Sequence, residues 1–275
     1  MSGPVSLPPG AGLKGGSLHD LLRLDDGRIR RRVVIPADMS QTERADLSRR
    51  LYEVHRMIFS GISEEHFFSH VVDPPAASTV IQLYIAPDEA IVGYCAIHRF
   101  RRRIRGRSVL VLRAEAGLLP SYRGRGATYG FGMIRAALEK ALHPFTPVYY
   151  LGTLVHMSSY HLFCKYFPRL FPQPFAETSE DMETIARELI DSFPDPPVAP
   201  DDPFVRDVGW VTIETPQEQA LDRHFRDVEY FLTRNPGYAK GHGLVVVVPM
   251  TFGNIIKALA IRATERVRRV YQSNL

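Results

Sequence analysis

Apolar residues change their spacing several times along this chain, and the changes outline its elements. A short helix is predicted over 17–24, and a short strand over Arg32–Ile35, stopped by Pro36. From 41 to 59 the spacing is helical. Leu47, Leu51, Val54 and Ile58 fall four, three and four apart, which makes one face. Ser40, with Glu43 three residues on, supplies a capping box. Ser63 ahead of Glu64 and Glu65 opens a second helix reaching about Val72.

The pattern then becomes extended. Thr79–Ala86, Ala90–Phe100 and Arg107–Leu119 read as three strands, with Arg105-Gly106 as the tight turn between the last two. Gly124 and Gly126 break the run. Helical spacing returns over 127–142 through Ile134, Ala137, Leu138 and Ala141. Val148–Val155 reads as a strand and Ser158–Phe167 as a helix ended by Pro168. The middle of the chain is therefore β-β-β-loop-α-β-α. Beyond it, a helix is predicted over 179–193, a Pro/Asp-rich loop over 194–203 and a strand over Trp210–Glu214. Helices over 217–234 and 252–271 flank a buried strand, Leu244–Val248.

Composition narrows the classes. The 275 residues suit one large or two small domains, and a hydrophobic share of 45% supports a sizeable core. Two cysteines, Cys95 and Cys164, exclude a disulfide scaffold or a cysteine-rich zinc site and fit a reducing compartment. The +4 net charge suits an anionic partner without choosing one. The opening MSGPVSLPPGAGLKGG, residues 1–16, reads as a flexible leader without a secretory pattern. The longest apolar run, Leu244–Met250, is far short of the roughly 20 residues of a membrane helix. The expected setting is cytoplasmic.

The segment Leu118-Leu119-Pro120-Ser121-Tyr122-Arg123-Gly124-Arg125-Gly126-Ala127-Thr128 joins a predicted strand to a predicted helix. Glycines let the backbone approach a ligand, and the unpaired N–H groups of a helix start favour an anion such as a pyrophosphate. Arg123 and Arg125 add positive charge. A dinucleotide fold loses ground, because Gly-x-Gly-x-x-Gly is absent here and no alternating βαβ units surround the loop.

LLPSYRGRGATYGFG resembles motif A of the GNAT N-acyltransferase superfamily, whose pattern is Gln/Arg-x-x-Gly-x-Gly/Ala. Arg123 fills the first position and Gly126 the fourth, while Thr128 departs from the sixth. The order of elements over about 30–170 is similar too. The resemblance implies an α/β fold: a GNAT-like mixed, mostly antiparallel central sheet flanked by helices, with an elaborated C-terminal region. It implies a donor-binding core over 17–170. Residues 171–275 would then complete the sheet, through strands near 210–214 and 244–248, and add helices. The implied co-substrate is acyl-CoA or acyl-phosphopantetheine, held by Leu118, Leu119, Arg123, Gly124, Arg125, Gly126, Ala127 and Thr128. No permanently bound cofactor and no metal are implied.

The implied reaction is direct attack of an amine on the thioester, with backbone groups at about Glu115 to Leu119 polarising the carbonyl. Glu115 is the candidate general base; the plainer reading is an ion-paired strand carboxylate. For the acid that protonates the leaving thiolate, Tyr160, Cys164 and Tyr166 each fit one register, and Tyr160 is taken first. The Asn expected at that helix start is absent. His156 and His161, five apart with no carboxylate nearby in sequence, do not suggest a metal pair.

Arg99–Arg107, RFRRRIRGR, carries six arginines on a hairpin. It reads either as a solvated tip or as a docking patch for an acidic partner such as an acyl carrier protein. Nucleic acid is disfavoured, because Phe100 alone interleaves the charges. Together with the aromatic segment Tyr149–Phe175, the hairpin tilts the reading towards the branch of N-acyl amino acid and acyl-homoserine lactone synthases. The alternative is a non-catalytic scaffold that holds an acidic protein or nucleic acid on this hairpin. Pro236–Gly243 reads as a turn or a substrate loop. The terminal helix carries Ile256, Leu259, Ala260, Ala263, Val267 and Val270 on one face, suited to pack on the core, form a dimer or lie on anionic lipid; packing on the core is the expectation.

Overall fold

The computed structural model describes residues 29–123, 127–215 and 225–273. The predicted leader and the helix over 17–24 lie outside them. Ten strands are described: β1 Arg30–Val34, β2 Phe59–Ser60, β3 Ser78–Ile85, β4 Ile91–Ile104, β5 Arg107–Leu118, β6 Val148–Leu154, β7 Pro197–Ala199, β8 Asp202–Asp207, β9 Val211–Thr212 and β10 His242–Pro249. The helices are α1 Gln41–His55, α2 Glu64–Phe67, α3 Ala127–Leu142, α4 Met157–Tyr166, α5 Glu180–Asp191, α6 Arg226–Arg234 and α7 Phe252–Ser273. Eight strands form one sheet in the order β1-β3-β4-β5-β6-β10-β8-β7. Only the β5–β6 neighbours run parallel. The fold is thus mixed α/β with a mostly antiparallel central sheet.

Local chemistry accounts for most boundaries. The Ser40 hydroxyl accepts from Glu43 N–H while the Glu43 carboxylate accepts from Ser40 N–H at 2.8 Å, so the capping box forms. Ser63 caps α2, which passes into a π-helical stretch, Phe68–Val72. At the hairpin tip Arg105 and Gly106 both take positive φ, 50° and 73°, the conformation a tight turn between twisted strands demands. β4 runs four residues past its predicted end, because its arginines alternate with Phe100 and Ile104 on a regular ladder to β5.

Three predictions are corrected. The stretch 194–203, read as a loop, contains β7 and opens β8, which extends the sheet. The predicted strand over Trp210–Glu214 is only two residues long and pairs with β2 in a separate ladder, so it does not complete the central sheet. The third concerns α7. Asn254, Ile255 and Ala258 are buried, whereas Ile256, Leu259, Ala260 and Ala263 are exposed, so this part of the apolar face expected to seal the core points outward; the side chains of Val267 and Val270 lie outside the described ones.

One side of the sheet is covered by α3, α4 and α7. Met133, Ala136, Met157, Tyr160, Ile255 and Ala258 pack there with Val246 and Val248 of β10. The opposite side carries α1 over β3 and β4, and α5 over β4, β8 and β10. The sheet continues across residue 170, since β6 and β10 are neighbours.

Candidate active site

β5 and β6 pair at three positions only: Leu110 with Val148, Val111 with Tyr149 and Leu112 with Tyr150. β5 runs on to Leu118 and β6 to Leu154, but no further register joins them among the described residues. The strands part, and a wedge opens between them. The Leu110 N–H donates to Pro147 O at 2.9 Å, towards β6. Peptide directions alternate along a strand, so the N–H groups of Ala114, Ala116 and Leu118 aim into the wedge.

Glu115 stands on β5 beside this opening, half-buried. Burial, the larger effect, raises its carboxyl to about 7; Arg113 opposes the rise and Asp195 adds to it. An ordinary carboxyl is almost fully ionised at neutral pH, whereas this one is poised to take up and release a proton there.

The phosphate-loop candidates divide. After β5 the chain makes a short turn, Pro120–Tyr122. Arg123 then folds back. Its Nε donates to Leu118 O at 2.9 Å and its Nη1 to Ile213 O at 3.3 Å. Arg123 therefore straps the end of β5 to the segment following β9. Leu119 N–H donates to Val92 O, and Leu118 O is held by Arg123, so those two backbone groups are already committed. Of the expected stretch Glu115 to Leu119, the N–H groups of Ala116 and Leu118 are the ones that aim into the wedge. Gly124, Arg125 and Gly126 lie outside the described residues, as does the side chain of Ala127. Thr128 is in the first turn of α3, and its carbonyl accepts from Cys95 Sγ at 3.7 Å.

Tyr160 does not reach the wedge. It is 0% exposed, its hydroxyl donates to Pro172 O at 2.9 Å, and its ring stacks on Tyr230. Burial pushes its phenol far above the ordinary range. The other two registers fare no better. Burial raises the Cys164 thiol to about 12, and Tyr166 OH donates to Glu265 Oε2 at 2.6 Å while its ring stacks on Tyr129. The tyrosine at the mouth of the wedge is Tyr150, the last paired residue of β6. It stacks on Phe163 at 4.8 Å, and its pKa is raised first by burial and then by Glu115. Nothing in the sequence marks Tyr150, because the end of the pairing is a property of two strands.

Both histidines have carboxylates after all, supplied from far along the chain. His156 Nε2 lies 2.9 Å from Glu214 Oε1, and His161 Nδ1 lies 2.8 Å from Asp227 Oδ2. His156 also caps α4, its Nδ1 accepting from Ser158 N–H at 3.2 Å. Beside it, at the end of β6, is a cavity of about 130 Å³ lined by Val155, Val211, Thr212, Glu214, Tyr238 and Ala239. The loop read as a turn or substrate loop thus contributes Tyr238 and Ala239 to a cavity wall.

The arginine hairpin is the far end of the same strand. From Arg107 to Leu118 is 11 steps, about 36 Å at strand rise. Three of its six arginines have internal work. Arg99 pairs with Glu139, Arg102 lies over the Phe100 and Phe193 rings, and Arg105 pairs with Asp181. Arg101, Arg103 and Arg107 are exposed.

Compared by sequence, the chain matches no family model and no curated protein. Compared by structure, it is similar to Arabidopsis thaliana NAA60 in complex with acetyl-CoA, at 19% identity and a TM-score of 0.32 over 46% of this chain and 75% of that one. An acetyltransferase of the GNAT family from Streptococcus pneumoniae is 14% identical, with a TM-score of 0.34 over 52% and 87%. A Trypanosoma brucei acetyltransferase is 19% identical, with a TM-score of 0.33 over 55% and 96%. The superpositions are loose and cover about half of this chain.

Proposed function

We propose that the chain is a GNAT-type N-acyltransferase, moving an acyl group from acyl-CoA to an amine by direct attack. The observation that carries this is the wedge: two parallel strands paired at three positions and then parting, with N–H groups of β5 aimed into the opening and a carboxyl poised near 7 beside it. A phosphopantetheine arm has amides of its own that can bond to that lip. The α3 N-terminus, at Ala127, offers its pyrophosphate the peptide dipoles of a helix start.

The roles follow from position. The amide of Ala116 or Leu118 polarises the thioester carbonyl and stabilises the oxyanion. Glu115 takes the proton of the attacking amine, directly or through one water. The thiolate leaves, protonated by Tyr150, which replaces Tyr160 in that role. The acyl carbon gains the C–N bond and loses the C–S bond, and the amine proton passes to Glu115. Residues 29–170 hold the donor; β10, supplied from beyond them, closes β6 from the other side. The cytoplasmic setting, with its reduced cysteines and its thioester pool, belongs to the same proposal.

CoA is preferred to a carrier protein as donor. A carrier docked on the arginine hairpin would have to deliver its thioester about 36 Å away along β5. The test is thermal denaturation with acetyl-, octanoyl- and palmitoyl-CoA, and with Gly126→Asp, which puts a side chain and a negative charge in the loop. A rise in Tm with at least one donor, lost in the variant, is expected. No rise with any acyl-CoA would overturn the proposal.

A further inference from the structure

α7 is fixed in rotation by polar contacts rather than by its apolar stripe. Asn254 Nδ2 donates to Arg169 O at 2.8 Å and to Pro249 O at 3.0 Å, and its Oδ1 accepts from Arg169 N–H. Further along, Arg262 lies over the Tyr129 ring, and Glu265 takes Tyr166 OH and Lys165 Nζ, each at 2.6 Å. These anchors share the inward face with Ile255 and Ala258. The stripe is left outside. Phe252 is 49% exposed, Ile256 63% and Leu259 43%, with Ala260 and Ala263 exposed beside them.

Two further apolar side chains stand near its start. Phe145 is 98% exposed and Leu142 63%. Lys140 ties Phe145 to α7: its Nζ donates to the carbonyls flanking that phenylalanine, Pro144 and Thr146, and stands 5.5 Å from the Phe252 ring centroid. The hairpin arginines come to the same end. Arg101 is paired across the ladder with Leu110, whose N–H donates to Pro147 O. Arg101 and Arg103 are exposed there, and Lys257 is exposed beside Ile256. Over 252–273 the sequence holds Lys257, Arg262, Arg266, Arg268 and Arg269 against Glu265 alone.

From the outward stripe, its neighbouring phenylalanine and its excess of cations, we propose that α7 and the 142–145 segment dock this protein on an anionic phospholipid surface. The helix lies in the plane of the interface, its apolar stripe among the acyl chains and the exposed Lys257, Arg101 and Arg103 at the headgroups. Among the described residues no helix is long and apolar enough to cross a membrane, so the contact is peripheral. Two other occupants fit less well. A second copy would bring cationic helices together, like charge against like. An acidic protein would answer the arginines and leave a bare phenylalanine and an isoleucine–leucine stripe unexplained.

The test is co-sedimentation of the full chain with vesicles of phosphatidylcholine alone and of phosphatidylcholine with phosphatidylserine. Roughly tenfold or greater preference for the anionic vesicles is expected, weakening as salt is raised. The double variant Ile256→Asp, Leu259→Asp should lose the binding while its circular dichroism and Tm stay those of the parent, since both positions are exposed. Phe145→Trp provides an independent reading: its emission should shift to the blue with anionic vesicles. Absence of binding to anionic vesicles overturns the proposal. So does binding that survives the double variant with Phe145→Trp emission unchanged. If the chain instead dimerises without lipid, and the double variant makes it monomeric, the face belongs to a second copy.

Discussion

His156 and Glu214 are 58 residues apart in the chain, and their side chains meet at 2.9 Å. The contact fastens the segment after β9 over the end of β6, next to the small cavity that Glu214 also lines. Glu214→Ala leaves a buried imidazole without its carboxylate. A loss of about 1–3 kcal/mol is expected by urea denaturation. The donor-induced change in Tm should persist in the variant.

Glu115 gives a pH dependence with two opposite readouts. Its folded-state carboxyl is raised to about 7, above the usual carboxylate value of 4.5. The protonated form is accommodated below about 4.5, and the stability it contributes is lost as pH rises through 7. Glu115→Gln should therefore leave Tm unchanged at pH 4 and raise it at pH 8, by no more than about 3 kcal/mol of stability. Activity should move the other way. The parent's rate rises with pH to a plateau above 7, and the variant should lose that inflection and about 10²–10⁴ of kcat.

Glu139, on α3, is 4% exposed and accepts from Arg99 of β4 at 3.1 Å and from Arg135 at 3.5 Å. It is the polar rivet between helix and sheet. Removing the shared anion leaves two arginines facing each other where water is scarce. Glu139→Ala is expected to cost about 3–5 kcal/mol, and Glu139→Gln less, in equilibrium unfolding.

Two glycines should respond in opposite ways to the same substitution. At Gly93 an added Cβ would stand 2.4 Å from the Gly117 carbonyl oxygen, which is backbone of the neighbouring strand and cannot yield. At Gly130 the nearest atom, at 2.6 Å, is the guanidinium tip of Arg262, which can swing aside. Gly93→Ala should cost several kcal/mol. Gly130→Ala should be neutral or stabilising, because glycine inside a helix forfeits about 1 kcal/mol relative to alanine. Melting curves of the two variants decide this.

The sequence made the middle of the fold legible because its signals are clean: β-branched and apolar runs through β3, β4 and β5, punctuated by turn residues, then helical spacing through α3. β8 was hidden because Asp202-Pro203-Phe204-Val205-Arg206-Asp207 looks like a loop. Its buried arginine is answered by Asp191, Asp195 O and Pro203 O, contacts that no local pattern reveals. β9 was visible as a strand but not as an outlier. Its departure from the central sheet reflects Gly61 and Gly209, whose backbones approach so closely that any Cβ at Gly61 would collide. α7 shows the limit of periodicity most clearly. Asn254, Arg262 and Glu265 set its rotation against the apolar stripe. At the candidate site, the strand position of Glu115 was readable. Tyr150 and the Arg123 strap were not, since both depend on where neighbouring chain segments end.

The parting of β5 from β6 has a mechanical consequence. The sheet's two halves share a seam of three residue pairs, and beyond it β6 answers to β10 alone. A donor whose amides bond to the lip of the wedge supplies the rungs the ladder lacks. Amide exchange on β5 past Leu112 should slow when the donor binds. On the proposed function, the donor would be a temporary part of the protein's cohesion, and each release of it would loosen the seam for the next.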